Sequence, residues 1–397
     1  MTNTAWPGVS LVHVSSKFSM LMSSGHPAQW VGFQDAHCVT QLYCHCTTWI
    51  CSKHEWKTSY QDFWKLCNAN SIKGHCNMKK ELYTTVFCQT FSDCGSHLAA
   101  GDGFGNVAVY DVKKIVELSS NEESIREFRR PELRFSTGEA PIYSMTSDER
   151  HLVTGVSGHI QAYKWSDVTK KNYKLAWNIP IESDRESLTQ PEVNSIDIQD
   201  GRLYVGSGSR EVQIFDLETR MKVASLRGHT DYVHAVRVRG DQCVSAGEDG
   251  TVRFWDTRQN KETSKVEPHA HPELERGRGR WIGAMDVTDD WMVCGGGPRL
   301  ALWHMRSLTM AAVCDLPAVA HVARFHDGLV LAGGDAADLH QFSFSGETSA
   351  VIPTDCTAVF TVLARAQPSK LLTIGGCGKF IEVCTSNKYK DFSLSFL

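Results

Sequence analysis

A chain of 397 residues with 42% hydrophobic and 22% charged residues has the balance of a well-packed soluble protein, and admits two or three small domains or one large repeat architecture. No apolar run reaches the roughly 18 to 20 residues that span a bilayer, and no basic stretch followed by an apolar core opens the chain, so neither a membrane protein nor a secreted one is expected. The formal net charge of −4 is uneven: residues 1–77 hold five Lys/Arg against three acids, leaving 36 of the 41 basic and 42 of the 45 acidic residues to 78–397. A net-acidic body has no general pull on phosphate backbones, so any nucleic-acid contact needs a local patch.

Residues 1–77 contain six cysteines, six histidines and five tryptophans, with no sustained period of 2 or 3.6. His37, Cys38, Cys44, His45, Cys46, Cys51 and His54 could be drawn as zinc ligands, but the C-x₂-C…H-x₃₋₅-H spacing is absent, and no metal is expected. This segment is expected to be an irregular or disordered extension, outside the functional body. The composition changes just before Met78, which makes Met78 a usable start. A chain beginning at Met78 is therefore expected to stay soluble; its precipitation, beside a soluble full-length chain, would refute the boundary.

From residue 78 onward one unit recurs: a short apolar strand, a glycine-rich turn, and a second strand ending in an aromatic or a polar pair. The copies are HLAAGDGFGNVAVYD, HLVTGVSGHIQAYKW, RLYVGSGSREVQIFD, CVSAGEDGTVRFWD, WMVCGGGPRLALWH, LVLAGGDAADLHQFSF and LLTIGGCGKFIEVC. Their glycines Gly101, Gly155, Gly206, Gly247, Gly295, Gly333 and Gly375 lie 54, 51, 41, 48, 38 and 42 residues apart, close to the roughly 40 to 45 of a propeller blade. Four strands per unit and seven units predict an all-β, seven-bladed β-propeller over 78–397. A β-sandwich of similar short strands would not keep this period. Gly103, Gly208, Gly250 and Gly334 are expected at bends requiring positive φ. KYKDFSLSF suits a final outer strand from about Tyr389 to Phe396. Cys243, Cys294, Cys314 and Cys384 fall in apolar strand runs, which fits free thiols and a reducing compartment.

Three stretches exceed a minimal blade. Residues 112–132 read as a charged excursion between the third and fourth strands of blade one, with room for a helical turn. Residues 168–192 carry Lys170, Lys171 and Lys174 and then turn acidic. Residues 267–281 hold Arg276, Arg278 and Arg280 interleaved with glycine, then Trp281. Arginine forks suit phosphates and carboxylates, which makes these candidate partner contacts, although the net-acidic ring favours a solvated loop. Trp281, Trp291 and Trp303 are candidate interface anchors or blade core.

The unit LRGHTDYVHAVRVRGDQCVSAGEDGTVRFWDTR resembles the WD-repeat family, with Gly228-His229 opening it and Trp255-Asp256 closing its third strand. The resemblance implies a buried structural tetrad of His229, Ser245, Asp249 and Trp255. Polar accounting agrees, because these groups lack water there and must pair with one another. A catalytic reading of the same His, Asp and Ser fails for want of oxyanion donors and an open nucleophile. No catalytic residue, cofactor or small-molecule substrate is expected: G-x-x-x-x-G-K-[ST], H-E-x-x-H and G-x-S-x-G are all missing.

A more specific resemblance rests on RGHTDYVHAV, SAGEDGTVRFWDTR, GRWIGAMDVTDDWMVCGGGPRLALWHMRS and YKDFSLSF, with FSDCGSHLAAGDGFGNVAVYD and GEAPIYSM nearer the start. These resemble the THO complex subunit 6 family, over about residues 80–397. The resemblance implies a nuclear, non-enzymatic scaffold of the THO/TREX assembly, partnered by other THO subunits and serving mRNA processing and export, with RNA contact indirect or weak. Trp255-Asp256-Thr257-Arg258 also matches the WDxR pattern of cullin-RING substrate receptors, in which Arg258 would meet an adaptor.

Overall fold

A computed structural model describes residues 83–118, 129–138, 140–182, 190–367 and 369–396, with the backbone of three further strands. The chain divides into two compact units, Met1–Asn77 and Met78–Leu397. In the first, Val9–His13, Ser19–Ser23 and Gln29–Val31 form a three-stranded antiparallel sheet. The remainder of the expected extension, including the histidines and cysteines from His37 to His54, lies outside the described residues.

In the second unit each repeat forms a four-stranded antiparallel sheet from one contiguous stretch, and there are seven. The innermost strands are Val86–Phe91, Ser144–Ser147, Val193–Gln199, Val233–Arg239, Ile282–Val287, Ala320–His326 and Val359–Arg365. Each touches the next, and the seventh touches the first, so the sheets close into a ring. This is the seven-bladed propeller that the period predicts.

Burial follows from stacking. The second strand of a blade is covered on both faces, so Gln242–Gly247 and Leu371–Gly376 are buried nearly end to end and read as continuous apolar runs. The outer strand Lys261–Val266 faces water and is mostly polar. In several blades the repeating glycine sits where the next blade approaches closely: a Cβ at Gly206 would fall 2.7 Å from Val236, and one at Gly333 would fall 2.6 Å from Val359. Cys243, Cys294, Cys314 and Cys384 are buried free thiols. Burial pushes Cys294 up to about 12, so it packs as a small hydrophobe.

Two expectations need correction. Of the four bend glycines only Gly250 has positive φ (78°); in the turn of blade one that conformation falls on Gly105 (76°), and in blade three on Arg210 (65°). The left-handed residue comes last in these turns, so the earlier glycines are not demanded by φ. The second correction concerns residues 168–192, which are not wholly an excursion. After the short helix Trp165–Val168 (α2), Leu175–Pro180 forms the outer strand of blade two, with Trp177 and Ile179 turned inward. Its lysine-rich approach hides that alternation in the sequence. Residues 112–132 do carry a helix, Val112–Leu118 (α1), ahead of the outer strand Leu133–Ser136.

Closure joins blades seven and one. Phe392–Ser395 pairs with Phe380–Cys384, beginning three residues after the expected Tyr389. The Gly378 N–H donates to Thr84 O (3.0 Å), the Tyr110 hydroxyl donates to Ser395 O (2.8 Å), and the Phe396 N–H donates to Lys379 O (2.7 Å). The Phe396 ring is fully buried in one cluster with Tyr110, Ile115, Leu371 and Leu394. Replacing a buried phenylalanine by alanine costs about 3–5 kcal/mol, so Phe396→Ala is expected to lower the urea unfolding free energy by that amount. Deleting 389–397 should remove soluble folded protein; an unchanged melting curve after that deletion would show that the ring closes by other means.

Candidate functional site

Blade four brings the four tetrad residues into one hydrogen-bonded chain. His229 enters from the loop before the inner strand, Ser245 from the second strand, Asp249 from the following turn, and Trp255 from the third strand, Val252–Asp256. Trp255 Nε1–H donates to Ser245 Oγ (2.8 Å), Ser245 Oγ meets His229 Nε2 (2.8 Å), and His229 Nδ1 meets Asp249 Oδ2 (2.9 Å). Indole can only donate and carboxylate only accept, so one arrangement satisfies every link. Ser245 donates to Nε2, and the imidazole carries its hydrogen on Nδ1 toward Asp249. Asp249 also accepts from the Thr230 N–H (3.0 Å), the Thr251 N–H (3.0 Å) and the Thr251 hydroxyl (2.8 Å).

Burial alone would push the Asp249 carboxyl up. The hydrogen bond from His229, with the N–H groups of Thr251 and Thr230, outweighs burial and holds it well below the usual carboxylate range. Its oxygens are occupied by the turn's own donors, the N–H groups of Thr230 and Thr251 and the Thr251 hydroxyl. Ser245 is fully enclosed and its oxygen is shared between an indole and an imidazole, so it has no path to a substrate.

The expected contact residues separate in the structure. Arg276 is drawn inward: it donates to Ala318 O (2.9 Å) and to Leu316 O, tying the loop before blade five to the loop before blade six. It is therefore a structural clamp and not a free contact. Arg278 and Arg280 remain exposed. Arg258 is exposed and paired within its own blade, to Asp241 (3.4 Å) and Asp256 (3.3 Å). Trp303 is core, 1% exposed, whereas Trp291 lies against His304 and Phe344 on a partly open surface. Trp281 is largely buried, yet its ring stacks on His321 at 6.0 Å and meets His234 edge-on at 6.4 Å.

Two features escape a repeat-by-repeat reading. Around the channel, Asp197, Arg237, Asp286 and Arg324 occupy matching places on the inner strands of blades three to six. Arg237 Nε donates to Asp286 Oδ1 (3.1 Å), and Asp286 Oδ2 accepts the Phe325 N–H (2.9 Å). Burial lowers Arg324 to about 10. The second feature is the aromatic neighbourhood of Trp281. Only the first was visible in principle, as the residue type at one fixed place on the inner strand of each repeat.

A closed ring of seven four-stranded blades, one of them carrying a complete His–Ser–Asp–Trp network, defines a WD-repeat β-propeller. The family model described as WD domain, G-beta repeat matches residues 220–256, the span that holds this network. Beyond the repeat, the chain is 36% identical over 326 residues to human THO complex subunit 6, covering 80% of this chain and 94% of that protein. It is 34% identical to the Danio rerio homologue, covering 79% and 98%, and 31% identical to the Drosophila melanogaster protein, covering 79% and 89%. The chain belongs to the THO complex subunit 6 family.

The tetrad yields a pH prediction. A carboxylate whose folded pKa is depressed stabilises the fold above the ordinary aspartate value of about 3.9, and that stabilisation disappears as pH falls toward the folded value. Asp249→Asn should cost about 1–3 kcal/mol at pH 7. In urea titrations the gap between variant and parent should narrow below about pH 4; a gap that stays constant would show that Asp249 is not held ionised by the network.

Proposed function

We propose that this chain is a subunit of a THO-type complex, acting as a non-enzymatic scaffold that supports mRNP assembly, mRNA processing and nuclear mRNA export through protein–protein contacts. The observation that carries this reading is similarity to proteins named THO complex subunit 6 along 94% of the human protein's length, well beyond the single matched WD repeat. Its partners are other THO subunits and its compartment is the nucleus. RNA contact is indirect or weak, in keeping with an acidic balance over 78–397. The enclosed Ser245 supports a structural role for the one constellation that imitates a catalytic relay.

The test is a tagged full-length chain recovered from nuclear extract at moderate salt, with co-purifying proteins quantified. THO subunits in near-equal amounts, unaffected by RNase and by Arg258→Ala, are expected. Recovery of a cullin-ligase adaptor instead, lost on Arg258→Ala, would make ubiquitin targeting the function and overturn the scaffold reading.

A further inference from the structure

One place in the inner strand is irregular in nearly every blade. The register with the second strand slips between Val86 and Cys88, Val193 and Ser195, Val233 and Ala235, Ile282 and Ala284, Ala320 and Val322, and Val359 and Thr361. Each slip leaves one bulged residue: Phe87, Asn194, His234, Gly283, His321 or Phe360. Tyr143 holds the corresponding place just before the strand of blade two. Bulges re-aim side chains, and repeated at one level of a ring they put one side chain per blade around the mouth of the channel.

Those side chains touch in ring order. His234 meets Trp281 (6.4 Å between centroids), Trp281 stacks on His321 (6.0 Å), and His321 stacks on Phe360 (4.7 Å). Phe360 meets Phe87 edge-on (5.5 Å), and Phe87 stacks on Tyr143 (6.1 Å). Blade five has no side chain of its own here, and the indole of Trp281 lies in its place: a Cβ at Gly283 would fall 2.7 Å from Cζ3 of that ring. A collar of six rings therefore runs from blade four through blades five, six, seven and one to blade two. All but Trp281 are half-buried, so the collar is partly open to solvent.

Carboxylates border the collar. Glu248 meets His234 Nε2 (2.8 Å), Asp335 meets His321 Nε2 (2.7 Å), and Glu192 accepts from the Tyr143 hydroxyl (3.0 Å). The Asp335 carboxyl is lowered chiefly by the His321 hydrogen bond, with a smaller contribution from Arg278. Aromatic faces attract cations, carboxylates bind them, and the same carboxylates repel phosphate. A guanidinium satisfies both, because its plane stacks on a ring while its fork of donors reaches carboxylates.

We infer that the collar of Phe87, Tyr143, His234, Trp281, His321 and Phe360, bordered by Glu192, Glu248 and Asp335, is a docking site for an arginine side chain presented by a partner's peptide segment. It goes beyond membership of a THO-type complex and stands on the collar alone, so it survives if that reading fails.

The test uses the full-length chain and a labelled, end-capped Gly-Ala-Arg-Ala-Gly peptide, with a citrulline version that keeps the shape and removes the charge. Binding is read by fluorescence anisotropy against parent, Phe360→Ala and Glu192→Gln chains. Glu192→Gln preserves shape and is expected to leave melting unchanged, which separates loss of binding from loss of fold. Saturable binding of the arginine peptide is expected, weakened about tenfold by citrulline and by each substitution. Equal binding of both peptides, or indifference to both substitutions, overturns the proposal. Binding of a uridine-rich single strand that Phe360→Ala abolishes also overturns it, since the rings would then be stacking bases.

Discussion

Everything in the propeller depends on the contact between the seventh blade and the first. A four-stranded sheet with two apolar faces cannot stand alone in water, and each blade relieves its neighbour only if the row of blades has no ends. The C-terminal strand and Phe396 close that row, with Tyr110 and Ile115 from blade one around the ring of Phe396. Arg365 adds a polar tie, donating to Gly95 O while its guanidinium lies 4.8 Å from the Phe91 ring centroid. Among the described residues no strand is exchanged between blades, since each sheet is one contiguous stretch of chain. Side-chain burial and a few hydrogen bonds therefore do at the seam what covalent continuity does at the other six junctions.

Those six junctions are reinforced polar group by polar group. Ser144 Oγ donates to Val193 O (2.7 Å), the Val236 N–H donates to Ser195 Oγ (3.1 Å), and the Val238 N–H donates to Asp197 Oδ2 (2.8 Å). The tetrad is the fullest case of the same need within a blade. Its function at the turn recurs with other residues: Asp102 in blade one accepts from Thr84 Oγ1 (2.8 Å) and from the N–H groups of Phe104 (2.9 Å) and Asn106 (2.7 Å). Blade three uses Ser207 and Ser209, with their oxygens 2.8 Å apart. A buried turn needs an acceptor for its N–H groups, and several side chains supply one.

This explains what the sequence showed and what it hid. The blade count was legible because Gly101 through Gly375 mark a steric requirement: a Cβ there would meet the next blade at Gly101, Gly155, Gly206, Gly333 and Gly375, and the blade's own chain at Gly247 and Gly295. The tetrad was legible because blade four keeps the whole His–Ser–Asp–Trp set. The outer strand of blade two was obscured, because an outer strand faces water and Leu175–Pro180 follows a lysine cluster. The inward turn of Arg276 was hidden as well: its partners are carbonyls of Leu316 and Ala318, and backbone oxygens leave no mark in a sequence. The collar was the hardest to see, since it lies at different distances from the repeating glycine in different blades and is completed in blade five by Trp281 instead of residue 283.

The seam also sets a schedule for the chain's birth. Tyr110 and Ser395 are 285 residues apart, and their hydrogen bond forms only after both have left the ribosome. At about 5–20 residues per second, blade one waits roughly 15–60 s with one apolar face unmatched. Over that interval the nascent chain presents open sheet edges and uncovered valine and leucine, the surface on which holding chaperones act. A lesion at Phe396 thus lengthens the most vulnerable period of synthesis as well as weakening the finished ring.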